Sequence, residues 1–396
     1  MHRQLLIAGA GIGGLSAALA AARAGWQVRV FERAPVFAEV GAGVQLGPNV
    51  THLLQQWGLG SALQAIAAAP QALRVRDARG GRELARMPLA QALERRYGAP
   101  YLTAHRADLH GLLLDAARAN GDVALVADER VQSFEDGAEA LDAVRLRTTT
   151  DRQVEGDALI GADGIWSGIR EQLLADGPAK PSGHLAYRAV VRQADLPARL
   201  RSHDVTAWLG PRLHAVSYPL RGGELLNLVF FIEGRIEGDT EGWDHAAVAA
   251  DLLAGLGEVC APLRDLASLP AAWRLWVICD REPLTHAAQM ARGRVALLGD
   301  AAHPMRPYVA QGAGMAIEDA AVLARCLGWV PEIDVPEALS RYAHLRWARA
   351  ARVQARSRRN GRIFHLDGPM RVARDASLAL LGARLMDMPW LYGARF

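Results

Sequence analysis

Three groups of residues in this chain have types and spacings that could do chemistry. Gly9, Gly11 and Gly14 stand at the spacing G-x-G-x-x-G, and the next apolar run ends in Glu32 followed by Arg33. Asp163 and Asp300 each follow a short apolar run, Ala158-Leu-Ile-Gly161 in the first case and Val295-Ala-Leu-Leu298 in the second. His214 and Tyr218 lie four apart in an alternating segment, His-Ala-Val-Ser-Tyr-Pro. A glycine turn between strand and helix brings backbone N–H groups up to a pyrophosphate, and a carboxylate ending the second strand accepts from ribose hydroxyls, which favours adenosine without a 2′-phosphate. Acids just past the carboxyl ends of strands sit where open α/β sheets bind ligands, although either aspartate could be a plain turn residue. An imidazole titrating near pH 6.5 can accept or relay a proton. The plainer alternative is a histidine and a tyrosine that only cap a sheet face.

These residues need elements to hold them. Leu5 to Ala8, the glycine turn, Leu15 to Ala24 and Gln27 to Glu32 read as strand, turn, helix and strand, one βαβ unit. A helix is expected over His105 to Arg118, with strands at Val123 to Val126 and Ala143 to Arg147. Alternating runs at His203 to Leu209, Leu213 to Leu220 and Leu225 to Ile232 predict an antiparallel sheet. As a strand, the second run turns His214, Val216 and Tyr218 to one face. Further helices are expected over His245 to Leu256, Gly314 to Leu327 and Ala338 to Arg359, while the residues around Lys180 have turn character. The simplest arrangement is an α/β fold in which a Rossmann-like dinucleotide-binding domain, residues 1–180 and 273–335, is interrupted by a sheet-rich domain, 181–272, and followed by a helical region, 336–396.

Bulk properties narrow the function. A net charge of +3 over 396 residues gives no field suited to nucleic acid or an anionic membrane. The arginine-rich stretch from Arg341 to Arg359 has Leu339, Tyr342 and Leu345 at helical spacing, so it reads as an amphipathic helix with a solvated or subunit-facing charged side. The single lysine, Lys180, leaves no good candidate for a Schiff base or a phosphate-loop lysine. Cys260, Cys279 and Cys326 are too scattered for a disulfide framework or a metal site, which suits a cytoplasmic protein, and no metal is expected. The apolar run Leu5 to Ala22 imitates a signal peptide, but its glycine cluster is better explained by the strand and helix.

In their order and spacing, these signals resemble the single-component FAD-dependent aromatic hydroxylases (class A flavoprotein monooxygenases), and within them the branch of salicylate hydroxylase and 3-hydroxybenzoate 6-hydroxylase. The likeness rests on the glycine turn, Asp163-Gly164, Gly299-Asp300, His105-Arg-Ala-Asp-Leu109, Gly41 to Asn49, Gln354 to Asp367 and the ending Trp390-Leu-Tyr-Gly. It implies tightly bound, non-covalent FAD, with NADH or NADPH and O2 as co-substrates, and hydroxylation of a small aromatic acid through a flavin C(4a)-hydroperoxide.

On that resemblance Arg106 contacts the FAD, Val44 lies along the flavin ring, Asp300 binds the ribityl chain, and Gly312, Ala313 and Gly314 face the flavin pyrimidine edge. Asp163 falls near the pyrophosphate and the nicotinamide path. His214 comes close to a substrate phenol and Tyr218 close to its carboxylate. A hydroxypyridine carboxylate such as 6-hydroxynicotinate is the alternative substrate, and a non-catalytic dinucleotide-binding protein the alternative class. Whether the chain forms a homodimer stays open.

Overall fold

The computed structural model describes residues 3–38, 42–137, 143–235 and 245–396. Its first layer is a six-stranded sheet in the order Ala291–Arg292, Val295–Leu297, Ala158–Gly161, Gln4–Ala8, Gln27–Phe31, Val123–Val126, parallel except at the Ala291–Arg292 edge. The first strand is central, and Leu5, Leu6 and Ile7 have no exposed surface. That is why it reads as an unbroken apolar run instead of alternating. The helix Ile12–Arg23 is small and apolar all round because it is wedged between the helices Gly312–Leu327 and Arg106–Arg118.

The second layer is an eight-stranded sheet in the order His245–Ala247, Trp273–Asp280, Lys180–Arg192, Leu225–Glu233, Leu213–Leu220, Val205–Gly210, Ala72–Asp77, Glu83–Pro88. All its pairs are antiparallel but one, Val205–Gly210 beside Ala72–Asp77. One face packs on the helices Ala249–Leu256 and Ala261–Ser268 through Leu228, Phe230, Leu252, Leu263 and Trp273. The other face looks toward the first layer and forms part of the site.

Two local expectations are corrected. The residues around Lys180 do not make a turn: Lys180–Arg192 is a 13-residue strand at the heart of the second sheet. Its Pro181 and Gly183 (φ +82°) are absorbed at a register shift between Pro181 and His184, where a bulge tolerates both. Nor is His245 to Leu256 one helix. His245–Ala247 pairs with Trp273–Leu275 as an edge strand, and the helix begins only at Ala249.

The C-terminal helix is longer than expected, Val335–Phe364, and starts where the Asp334 side chain accepts from Glu337 N at 2.7 Å. Its charged side is not all solvated. Arg346 is completely buried, with Nη1 2.9 Å from Glu318 Oε2 and Nε 2.7 Å from Asp319 Oδ1. Among the described residues no helix is long and apolar enough to cross a membrane.

Candidate functional site

A groove of about 400 Å³ crosses the carboxyl ends of the parallel strands. Gly9, Gly11 and Gly13 line it, with Glu32 and Arg33 at one end and Asp163, Gly299 and Asp300 along its length. The glycine turn has steric reasons. Gly9 has φ +101°, and a Cβ there would sit 2.4 Å from Ala162 O. Gly14 does not line the groove: a Cβ on it would meet Gly9 O at 1.9 Å, so its part is to let the helix close onto the turn. His110 holds the turn from behind by sharing a hydrogen bond of 2.8 Å with Ala10 O. Glu32 accepts from Ala10 N at 2.8 Å and from Ala34 N at 2.9 Å, which fixes the carboxylate beside the turn with acceptor capacity to spare.

Asp163 is held by the Ile169 N–H at 3.2 Å through one carboxylate oxygen, while the other is buried with no partner. Burial raises its pKa above the ordinary carboxyl value, and the Ser167 hydroxyl and the Ile169 N–H pull the other way. Arg170, four-square behind this turn, donates to Ala301 O at 3.1 Å and Ala302 O at 2.8 Å, and so ties the second turn, which carries Asp300, to the first.

The groove opens into a cavity of about 220 Å³. Arg106, Ile165, Trp166, Trp276, Asp300, Gly312 and Ala313 border both spaces, so they form one continuous site between the two layers. Val44 and Gln45 stand on one side of the cavity, and Arg188, Val216, Tyr218, Val229 and Phe231 of the second sheet on another. Gly43 is required here because a Cβ would lie 2.4 Å from the Tyr218 ring. Gly314 is turned away: a Cβ on it would meet Gln311 and Val50, so it serves the packing of the Gly312–Leu327 helix on Pro48–Gln56. Gly41 lies outside the described residues.

Tyr218 and His214 do not stand equally. Tyr218 lines the cavity, and burial keeps its phenol protonated far up the pH scale, so it is a donor. His214 shares the strand face but is not among the lining residues. It stacks on Phe231 at 4.4 Å between ring centroids, and its Nδ1 is 2.7 Å from His365 Nε2. Burial, then the proximity of His365 and His184, holds its pKa well below 6.5, so its imidazole is neutral. His365 reaches on toward Glu233, with Nδ1 3.7 Å from Oε1, and His184 is hydrogen-bonded to the Tyr308 hydroxyl. His303, beside the Asp300 turn, is structural: its Nε2 is 2.6 Å from Asp319 Oδ2.

The site suits FAD on several observations. The helices starting at Ile12 and Gly312 have neither a capping side-chain hydrogen bond nor an acid in the first turn, and both N-termini open on the groove, leaving their first N–H groups and positive dipole ends for an anion. The unpartnered Asp163 oxygen and the glycine-lined turn complete a cradle for a dinucleotide.

Arg188, Trp276 and Phe231 were not singled out from sequence. An apolar run interrupted by one arginine, Leu185-Ala-Tyr-Arg188-Ala-Val-Val191, was the available signal for the first.

Comparisons with known proteins point to FAD as well. A family model described as FAD binding domain matches residues 2–357. The chain is 40% identical to 3-hydroxybenzoate 6-hydroxylase 1 of Aquipseudomonas alcaligenes, covering 99% of this chain and 98% of that one. It is 38% identical to a 3-amino-4-hydroxybenzoate 2-monooxygenase of Streptomyces platensis, covering 99% and 96%. Among solved structures it is similar to a salicylate hydroxylase substrate complex (TM-score 0.83, 25% identity, 100% and 96% covered). It is also similar to Klebsiella pneumoniae HpxO complexed with FAD and uric acid (TM-score 0.85, 26% identity, 97% and 94% covered).

Proposed function

The chain belongs to the family of single-component FAD-dependent aromatic hydroxylases, and from that membership we propose that it hydroxylates a hydroxybenzoate-type ring acid with NADH or NADPH and O2 as co-substrates. The observation that carries the substrate class is the cavity itself. Apolar side chains, Val216, Val229, Phe231 and Met305, enclose a space of ring-acid size, and polar groups stand at defined points of its wall. The 3-hydroxybenzoate and 3-amino-4-hydroxybenzoate hydroxylases named above act on ring-hydroxylated benzoates, which fits such a cavity.

FAD, when bound, supplies the chemistry of accepting hydride from the nicotinamide and activating O2. The chain's residues do the rest. Glu32, Asp163 and the N–H groups after Gly11 bind the adenosine and pyrophosphate end. Arg106, Asp300, Gly312 and Ala313 meet the flavin end, where the helix N-terminus favours negative charge on the ring system. Tyr218 donates a hydrogen bond to the substrate carboxylate. His214, which stands behind the cavity wall, takes the ring hydroxyl's proton across a bridging water and passes it outward to His365, which it contacts directly. The apolar wall keeps bulk water off the reacting centre.

The test is NAD(P)H oxidation by the purified holoprotein against 2-, 3- and 4-hydroxybenzoate, 3-amino-4-hydroxybenzoate and 6-hydroxynicotinate, with the product identified by mass spectrometry and NMR. Hydroxylation of a ring acid is the expected result. Oxidation that only makes H2O2 with every member of the panel overturns the reading.

A further inference from the structure

Arg188 puts a positive charge into the wall of the substrate cavity and has no anion beside it. It occupies the middle of the Lys180–Arg192 strand, opposite Val229 on one side and Arg274 on the other. Its guanidinium carbon lies 3.4 Å from the centroid of the Trp276 ring, the packing of a planar cation on an aromatic face. Its Nε is buried without a hydrogen-bond partner. Among the described residues no carboxylate comes within ion-pair distance of it, whereas the other arginines that stand behind the cavity, Arg170, Arg281, Arg306, Arg346, Arg349 and Arg358, each meet one. The neighbours that act on its charge are Tyr218 and another cation, Arg106. Burial, with Arg106, brings its pKa down to about 9, which leaves it charged at neutral pH but held at a cost.

Arg188 as a whole is half-buried, but a guanidinium whose Nε is shut off from water with no counter-charge destabilises a fold, and an apolar residue would fill this wall without that cost. A charge kept there is explained by a ligand that brings the missing anion. The guanidinium is pinned flat against Trp276, so its N–H edge is presented in one plane, which matches a carboxylate far better than a neutral amide or a hydroxyl. Tyr218, a protonated donor in the same wall, points to the same end of the substrate.

We propose that Arg188 is the residue that selects a carboxylate on the aromatic substrate, pairing with it inside the cavity while Trp276 holds the guanidinium in plane. This rests on the ring-acid reading above and deepens it: the acid group is required and has a named partner, so the substrates are ring acids and not phenols in general.

The test separates binding from chemistry. Wild-type holoenzyme and Arg188→Met and Arg188→Lys variants, matched for bound FAD, are titrated with 3-hydroxybenzoate and with its neutral analogue 3-hydroxybenzamide, following the flavin absorbance without nicotinamide. Wild type is expected to prefer the acid. Arg188→Met is expected to weaken the acid about 30- to 1,000-fold, the range for losing one partner of a desolvated charge pair, and to leave the amide within about threefold. Arg188→Lys should fall between, because it keeps the charge and loses the planar fork. If Arg188→Met weakens acid and amide alike, or neither, the proposal is overturned and Arg188 is a wall residue. Product formation reports separately on the ring-hydroxylation reading: an Arg188-dependent acid preference without hydroxylated product sinks that reading and keeps this one. A wild type that binds no ring acid overturns both.

Discussion

Arg346 and Asp319 form an ion pair of 2.7 Å with no exposed surface on either side chain, and the other oxygen of Asp319 accepts from Gly299 N at 3.0 Å and contacts His303 Nε2 at 2.6 Å. The C-terminal helix therefore reaches through the core to hold the turn that carries Asp300. Burial alone would raise the Asp319 pKa, but His303 and Arg346 together bring it below the ordinary carboxylate value, so this acid stays ionised. Arg346→Met leaves Asp319 and Glu318 as buried carboxylates short of a cation. The expected loss is about 3–5 kcal/mol, read from the urea midpoint of the holoprotein, together with weaker FAD retention. Arg349→Met should cost less, since Arg349 is partly exposed and Glu318 would keep Arg346. Equal midpoints for wild type and Arg346→Met would show that the network adds no stability.

Gly11 stands at the N-cap of the Ile12–Arg23 helix and lines the dinucleotide groove. A valine there would occupy the space a pyrophosphate needs and block the uncapped first turn. Gly11→Val is expected to purify colourless, with flavin absorbance per protein reduced at least about tenfold and far-UV circular dichroism close to wild type. A yellow variant with normal flavin content would remove this glycine from the site.

Asp300 borders both the groove and the cavity, at a turn clamped by Arg170 from one side and Asp319 from the other. With the turn so supported, Asp300→Ala should keep its fold. It should lose FAD during dialysis with a dissociation constant raised about 10- to 100-fold, the range for a hydrogen-bonded charged group. Full cofactor after dialysis would make Asp300 a turn residue only.

The parts legible in the sequence were those whose function constrains the local backbone. The G-x-G-x-x-G turn, Glu32 and the strand ends before Asp163 and Asp300 are short-range patterns, and the parallel strands are buried enough to read as plain apolar runs. The Lys180–Arg192 strand was hidden because Pro181 and Gly183 look like a turn, and only long-range pairing with Leu225–Glu233 and Trp273–Asp280 makes them a bulge. Arg188 was hidden with it: nothing local says that an arginine in an apolar run faces a cavity. Alternation did place His214, Val216 and Tyr218 on one face, but it could not say that Phe231 of the neighbouring strand would supply the wall where His214 stands back. The charged side of the C-terminal helix looked like a solvated face, because the carboxylates that draw Arg346 inward lie on another helix.

The histidine cluster should make the protein acid-sensitive. His214 and His365 are both buried and neutral, their pKa values lowered first by burial, to about 4 for His365 and well below 6.5 for His214. In the unfolded chain each titrates near 6.5, so below that pH the unfolded state binds protons that the folded state refuses. Stability is thus unaffected above about pH 6.5 and falls as pH drops below it, by up to about 1.4 kcal/mol per pH unit for each histidine until the folded pKa is reached. Urea midpoints at pH 7.5, 6.5 and 5.5 should fall in that order, and His365→Gln should flatten the drop between 6.5 and 5.5 by about 1 kcal/mol. An unchanged slope would mean that His365 is protonated in the folded protein.

His214 carries the last prediction, which follows from its neutral imidazole and its 2.7 Å contact with His365. A phenol attacks an electrophilic oxygen far better once its hydroxyl proton has gone, so removing the group that takes the proton should slow the oxygen-transfer step. His214→Ala is expected to slow hydroxylation about 10²- to 10⁴-fold, the usual worth of a positioned acid–base group. Flavin reduction should change much less, because hydride transfer does not need that proton to move. The variant should therefore keep consuming nicotinamide with substrate bound but release a larger share of H2O2, and the ratio of product to nicotinamide oxidised is the quantity to measure. His214→Asn tests whether the effect is only steric: it keeps a polar side chain toward His365 but cannot act as a base near neutral pH, so it should uncouple as the alanine does. Because the folded pKa of His214 lies well below 6.5, the wild-type hydroxylation rate owed to this group should stay flat from about pH 6.5 to 9 and decline only on the acid side. Matched product ratios and rates in wild type and both variants across that range would give His214 a packing role against Phe231 and nothing more.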